Sequence, residues 1–143
     1  MVITREADYT VRLMLVLAAR QADGTVSSRV LAKEARVPYE LARGVLARLA
    51  DAGLLESFRG RSGGYQLARA ASEITIGEVL AVAGENLELN VCVNVPEECD
   101  ASAFCAMHPV WQVASELLRE YLGEMTLAQV VRMKPAKGVG PAC

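Results

Sequence analysis

The chain has 143 residues, 52 % of them apolar, enough for one domain with a full core. Its longest apolar run, Leu13 to Ala19, is far too short to span a bilayer, and Arg5, Glu6, Asp8 and Arg12 interrupt any secretory leader. A cytoplasmic protein with reduced thiols and no membrane partner is therefore expected.

The net charge of −2 argues against a nucleic-acid partner until it is divided along the chain. Residues 1–72 carry 11 Lys/Arg against 7 Asp/Glu, whereas residues 73–143 carry 4 against 10. A polyanion is expected to meet the first half only.

Ala7 to Ala22 is apolar almost all round, which predicts a helix buried on most sides. Asp8 lies near its start, where a carboxylate suits the positive end of the helix dipole. Ala22 to Thr25 is a turn. Ser27 and Ser28 then offer capping hydroxyls to a short helix whose apolar face is Val30, Leu31 and Ala35.

Val37-Pro38 breaks that helix, and Pro38 suits the first turn of the next. Tyr39 to Asp51 is predicted to bury Leu41, Val45, Leu46 and Leu49, to show Tyr39, Glu40, Arg43, Gly44, Ala47 and Arg48, and to stop at Gly53. Two short helices joined by a tight turn make a helix-turn-helix. Gly44 costs that helix about 1 kcal/mol relative to Ala, which close approach to a DNA backbone rationalises.

Leu54 to Phe58 and Tyr65 to Ala68 read as strands joined by Arg59-Gly60-Arg61-Ser62-Gly63-Gly64. Behind a helix-turn-helix this is a wing. It lacks the Gly-Lys-Ser/Thr ending and following helix of a nucleotide loop. Tyr39, Glu40 and Arg43 are candidates for base edges; Arg48, Arg59 and Arg61 are candidates for phosphates or a groove. Ser28 has two possible roles, phosphate contact and helix capping.

Thr75 to Glu78 is a capping box opening a short helix to about Val82. The stretch from Val91 to Trp111 then gathers Cys92, Cys99, Cys105 and the single histidine, His108. Thiolate and imidazole are ligands for zinc, copper or iron–sulfur clusters. The spacings, with six, five and two intervening residues, lack Cys-x-x-Cys knuckles and predict a loop wrapped around its cargo. The plainer alternative is three small hydrophobes and an incidental imidazole.

Helical periodicity returns from Pro109 to Leu122 with a broad apolar stripe, including Val110, Trp111, Val113, Leu117, Leu118 and Tyr121. It either packs on its own core or pairs with a second copy across a two-fold. Thr126 to Gln129 caps a last short helix. Beyond Lys134 a disordered tail is expected, with Cys143 a bystander.

Several of these pieces, in this order, resemble the IscR/NsrR family of winged helix-turn-helix regulators. They are Thr4 to Leu13 (TREADYTVRL), Ala50 to Leu55 (ADAGLL), the wing from Arg59 to Ala68, Ile76 to Val79, the three-cysteine segment, and Leu122 to Val131 (LGEMTLAQVV). The resemblance implies a mainly α fold with a small β-wing. Residues 1–83 would be the DNA-binding winged helix-turn-helix, 84–108 the Cys-rich cluster loop, 109–133 the long dimerisation helix with a final short helix, and 134–143 the tail.

It also implies a homodimer on double-stranded DNA, not an enzyme, that senses redox state, nitric oxide or iron status. The cofactor would be a 2Fe–2S cluster, or alternatively 4Fe–4S, held by Cys92, Cys99 and Cys105. The fourth ligand differs between branches: a histidine after the third cysteine, matched by His108, or an aspartate near the N-terminus of the partner subunit, matched by Asp8. This chain carries both. Its first Cys interval is one residue longer than in IscR-like members, and Arg43 stands where the reader helix often has another residue. A regulator without a cluster that answers thiols or a partner, and a structural Cys₃His zinc clip, are the alternatives.

Overall fold

The computed structural model describes residues 3–133. The expectations for the tail and for Cys143 lie outside the described residues. The centre of the fold is helix α1 (Arg5–Ala19), which begins two residues earlier and ends three earlier than its periodicity suggested. Thr4 caps it, its hydroxyl accepting the Ala7 N–H at 3.2 Å. Ala7, Leu13 and Met14 are completely buried, and α1 packs against four of the other helices.

Helix α2 (Ser28–Ala35) is capped by the Ser27 hydroxyl. It ends at Arg36, a non-glycine residue in the left-handed region at φ 54°. Helix α3 (Tyr39–Asp51) follows Pro38. It buries Ala42, Val45, Leu46 and Leu49, while Leu41 is 54 % exposed. The expected burial of Leu41 is thus corrected: a step of 100° per residue puts the inward arc on 42, 45, 46 and 49, with Leu41 at its rim. Val30 is likewise exposed, and Ala32 takes its inward place.

Strands β1 (Leu55–Phe58) and β2 (Gly64–Leu67) form an antiparallel hairpin, with Leu55 opposite Leu67 and Phe58 opposite Gly64. Val26 joins it through paired backbone bonds with Tyr65, at 2.9 and 2.8 Å. Gly64 makes that contact possible. Its φ is +153°, and a Cβ there would lie 2.1 Å from the Val26 carbonyl oxygen.

Helix α4 (Ile76–Val82) opens with the Thr75/Glu78 capping box. Short helix α5 (Val91–Asn94) interrupts the cysteine segment, and α6 (His108–Glu124) follows it. Gly77 and Gly123 let α4 and α6 cross closely, since a Cβ on Gly77 would meet the Gly123 Cα at 3.1 Å. Helix α7 (Leu127–Arg132) then returns to the core. Leu127 is fully buried, and its N–H donates to the Ile74 carbonyl at 2.9 Å. The result is a mainly helical winged helix-turn-helix with a long helix near its C-terminal end.

Candidate nucleic-acid interface and thiol loop

Opposite the buried arc of α3 lies an outward meridian of Glu40, Gly44, Ala47 and Asp51. Arg43 flanks it towards α2 and Arg48 towards α1. At the start of α3 the Tyr39 ring lies between cations: the guanidinium of Arg29 sits 4.4 Å from its centroid and that of Arg43 5.9 Å. Arg29 was missed by sequence reasoning, because the stacking joins two helices across the turn. Arg43 also meets the Glu40 carboxylate at 3.4 Å.

A hollow of about 440 Å³ beside α3 is lined by Ser28, Glu40, Arg43, Gly44, Ala47 and Tyr65. Ser27, not Ser28, supplies the cap of α2, so the Ser28 hydroxyl is left to line this hollow. A second cleft of about 360 Å³ on the α1 side is lined by Arg5, Tyr9, Leu41, Gly44, Val45 and Arg48, among others. Arg48 is held there by the Glu6 carboxylate. Arg59 and Arg61 stand exposed at the wing tip. The structure therefore puts Ser28, Tyr39, Glu40, Arg43 and Arg48 on or beside α3, and Arg59 and Arg61 at the far end of the hairpin.

The thiols lie elsewhere. Cys92 is buried on α5, while Cys99 and Cys105 are half-buried; all three are free. The backbone turns from Cys105 straight into α6, the His108 N–H donating to the Cys105 carbonyl at 3.1 Å. The other end of the loop is anchored to α6 as well. The Leu89 N–H donates to the hydroxyl of buried Ser115 at 3.0 Å, and Arg119 meets Glu88 at 2.9 Å. Upstream, the Glu85 carboxylate accepts the Thr4 N–H at 2.9 Å and the Thr4 hydroxyl. The start of α1 thus touches the root of the thiol loop through Thr4 and α3 through Glu6.

The donor types suit an iron–sulfur cluster: three soft thiols, and an imidazole whose buried Nδ1 has no hydrogen-bond partner. Their placement does not. Among the described residues no three His, Cys, Asp or Glu side chains converge on a point that could hold a metal ion. Asp8 is turned to its own helix, its carboxylate 2.6 Å from the Arg12 guanidinium.

The outer side of α6 is apolar. Trp111, Ala114, Ser115, Leu118 and Leu122 face inward or are half-buried, whereas Val110, Val113, Leu117 and Tyr121 are exposed, Leu117 to 60 %. Phe104 on the thiol loop is 81 % exposed beside them in sequence. No helix of the described residues is long and apolar enough to cross a membrane.

Residues 3–133 match the Rrf2 family, described as an iron-dependent transcriptional regulator. The chain is 30 % identical over 129 residues to the HTH-type transcriptional regulator IscR of Yersinia enterocolitica, covering 90 % of this chain and 78 % of that one. Among solved structures it is similar to IscR of T. potens, with a TM-score of 0.74 and 25 % identity over 95 % of this chain and 94 % of that one. It is also similar to the oxidized form of Staphylococcus aureus CymR, with a TM-score of 0.73 and 26 % identity over 95 % and 100 % of the two chains.

Proposed function

The chain belongs to the Rrf2 family, a DNA-binding transcriptional regulator and not an enzyme, and from that premise we propose that the state of its three thiols sets how a homodimer grips its operator. The observation that carries this reading is the double anchoring of the thiol loop, through Ser115 and Arg119 to α6 and through Glu85 to the start of α1. A change in the loop therefore acts on the helix proposed to join the two subunits and on the helix that abuts α3. Reader helices in such a dimer must sit about 34 Å apart to enter successive major grooves. A small displacement of α6 alters that spacing, and the state with the better spacing is the one DNA selects. Tyr39, Glu40 and Arg43 would meet base edges, and Ser28, Arg48, Arg59 and Arg61 the phosphates or the groove.

Direct thiol chemistry is the reading that the placement of the side chains supports, since the three sulfurs are free and do not converge with other donors. In this reading oxidation or a thiol ligand acts on the half-buried Cys99 and Cys105 first. A second reading is favoured by the orphaned Nδ1 of His108 and by the iron in the family's description. There Cys92, Cys99 and Cys105, with His108 or a partner's aspartate as the fourth ligand, would hold an iron–sulfur cluster, which supplies a redox- and nitric-oxide-reactive centre.

One preparation separates the two. The protein is purified without oxygen, assayed for iron, sulfide and visible absorption, and titrated against its operator beside a variant with all three cysteines changed to Ser. Colourless protein whose DNA binding answers thiol oxidants and reductants, a response lost in the variant, supports thiol control. Coloured protein with stoichiometric iron and sulfide supports the cluster. A variant that keeps the full response removes the loop from the mechanism.

A further inference from the structure

The surface that meets a polyanion carries a carboxylate whose only use to the fold is its place at the positive end of a helix dipole. Glu40 stands in the first turn of α3 on its outward meridian, with 79 % of its side chain exposed. It does not cap the helix: Pro38 occupies the capping position, without a side-chain capping bond. Its ion pair with Arg43 is long at 3.4 Å, and both partners are open to solvent, so the pair adds little to stability. Facing phosphates, the charge is repulsive unless it meets a hydrogen-bond donor.

Resting on the reading of this chain as a DNA-binding regulator, we infer that Glu40 is a specificity residue that reads cytosine. Its carboxylate accepts a hydrogen bond from the exocyclic amine of a cytosine in the major groove, and Arg43 takes the guanine of the same pair. The choice of base follows from the order of groups on each pair. A G·C edge presents two adjacent acceptors, guanine N7 and O6, and then one donor, cytosine N4. The guanidinium of Arg43 and the carboxylate of Glu40 present the complement, donors beside an acceptor. An A·T edge sets its single donor between two acceptors, so one of them faces the carboxylate.

The setting supports this use. The residues near the N-terminus of a reader helix are those that reach base edges. The Tyr39 ring, stacked on Arg29, also lies 5.9 Å from the Arg43 guanidinium. One turn on, nothing lies within 4 Å of where a Gly44 Cβ would stand, so no side chain holds the helix off the groove floor.

The test is selection of bound duplexes from a randomised library with the full chain, with Glu40→Ala and with Glu40→Gln. The parent is expected to fix a C·G pair at one position of each half-site. Glu40→Ala should lose the preference there alone, with the ratio of cognate to substituted affinity falling about ten-fold. Glu40→Gln, which can also donate, should shift the preference towards adenine. Thermal unfolding of both variants should stay cooperative and close to the parent, since the exposed side chain loses only its helix-dipole contribution. If the parent enriches no duplex, the regulator reading fails and this inference with it. If it enriches an operator whose base preferences both variants keep, or if the lost preference is for a base other than cytosine, the assignment of Glu40 alone is overturned.

Discussion

A glycine in the middle of an exposed helix lowers stability by about 1 kcal/mol relative to alanine. At Gly44 no neighbour explains that loss, because the space where a Cβ would stand is open. Gly44→Ala is therefore expected to raise the unfolding free energy by about 1 kcal/mol, read by denaturant or heat, while weakening operator binding. A variant that is stabilised and binds DNA as before would show that nothing approaches this turn. Glu78 gives a second test at this scale. Its pKa is lowered, first by the Arg69 guanidinium at 2.8 Å and then by the Thr75 N–H of the capping box. The folded state thus holds the carboxylate below its usual 4.5, and the stability it lends is complete above that value. It is lost as pH falls through the lower, folded pKa. Glu78→Gln should flatten this acid limb of the stability curve and leave the neutral-pH dependence unchanged.

Among the elements, α6 has two faces with different needs. Its inner face follows Trp111, Ala114, Leu118 and Leu122, and its outer face follows Val110, Val113, Leu117 and Tyr121 at spacings of three and four. A stripe this wide could be seen in the sequence, but which half meets the core depends on Gly77 and Gly123, whose close crossing fixes the rotation of α6 against α4. If the outer half joins two subunits, Leu117→Asp with Val113→Asp should yield a folded monomer by sedimentation. Operator affinity should drop at least ten-fold, as a single half-site is all that remains. A dimer that survives both charges would relocate the interface. The wing, by contrast, could be read locally from its glycines and arginines. The bridge that Val26 adds to it could not, because Val26 reaches Tyr65 from a distant part of the chain.

In the whole molecule the helix-turn-helix was legible because capping residues, Pro38 and Gly53 punctuate it within a short window. The placement of Glu40, Arg43 and Arg48 on α3 followed from that. Arg29 and the left-handed Arg36 did not, since one needs the angle between two helices and the other defies its residue preference. The thiol segment was legible as chemistry and not as shape. Four-residue α5 is shorter than any periodic window, and convergence of Cys92, Cys99, Cys105 and His108 is a matter of tertiary placement that spacing does not specify.

Helix α7 closes the molecule on itself. The Ile76 N–H donates to the Met125 carbonyl at 2.8 Å, Leu127 is buried beside Ile74, and Thr75 bridges to Thr126. The two sides of the cysteine segment are thus joined by the covalent chain, by this strap and by the bonds of Glu88 and Leu89 to α6. A protease that nicks the exposed stretch between Pro96 and Phe104 should therefore give two fragments that migrate apart in detergent yet elute together from a native sizing column.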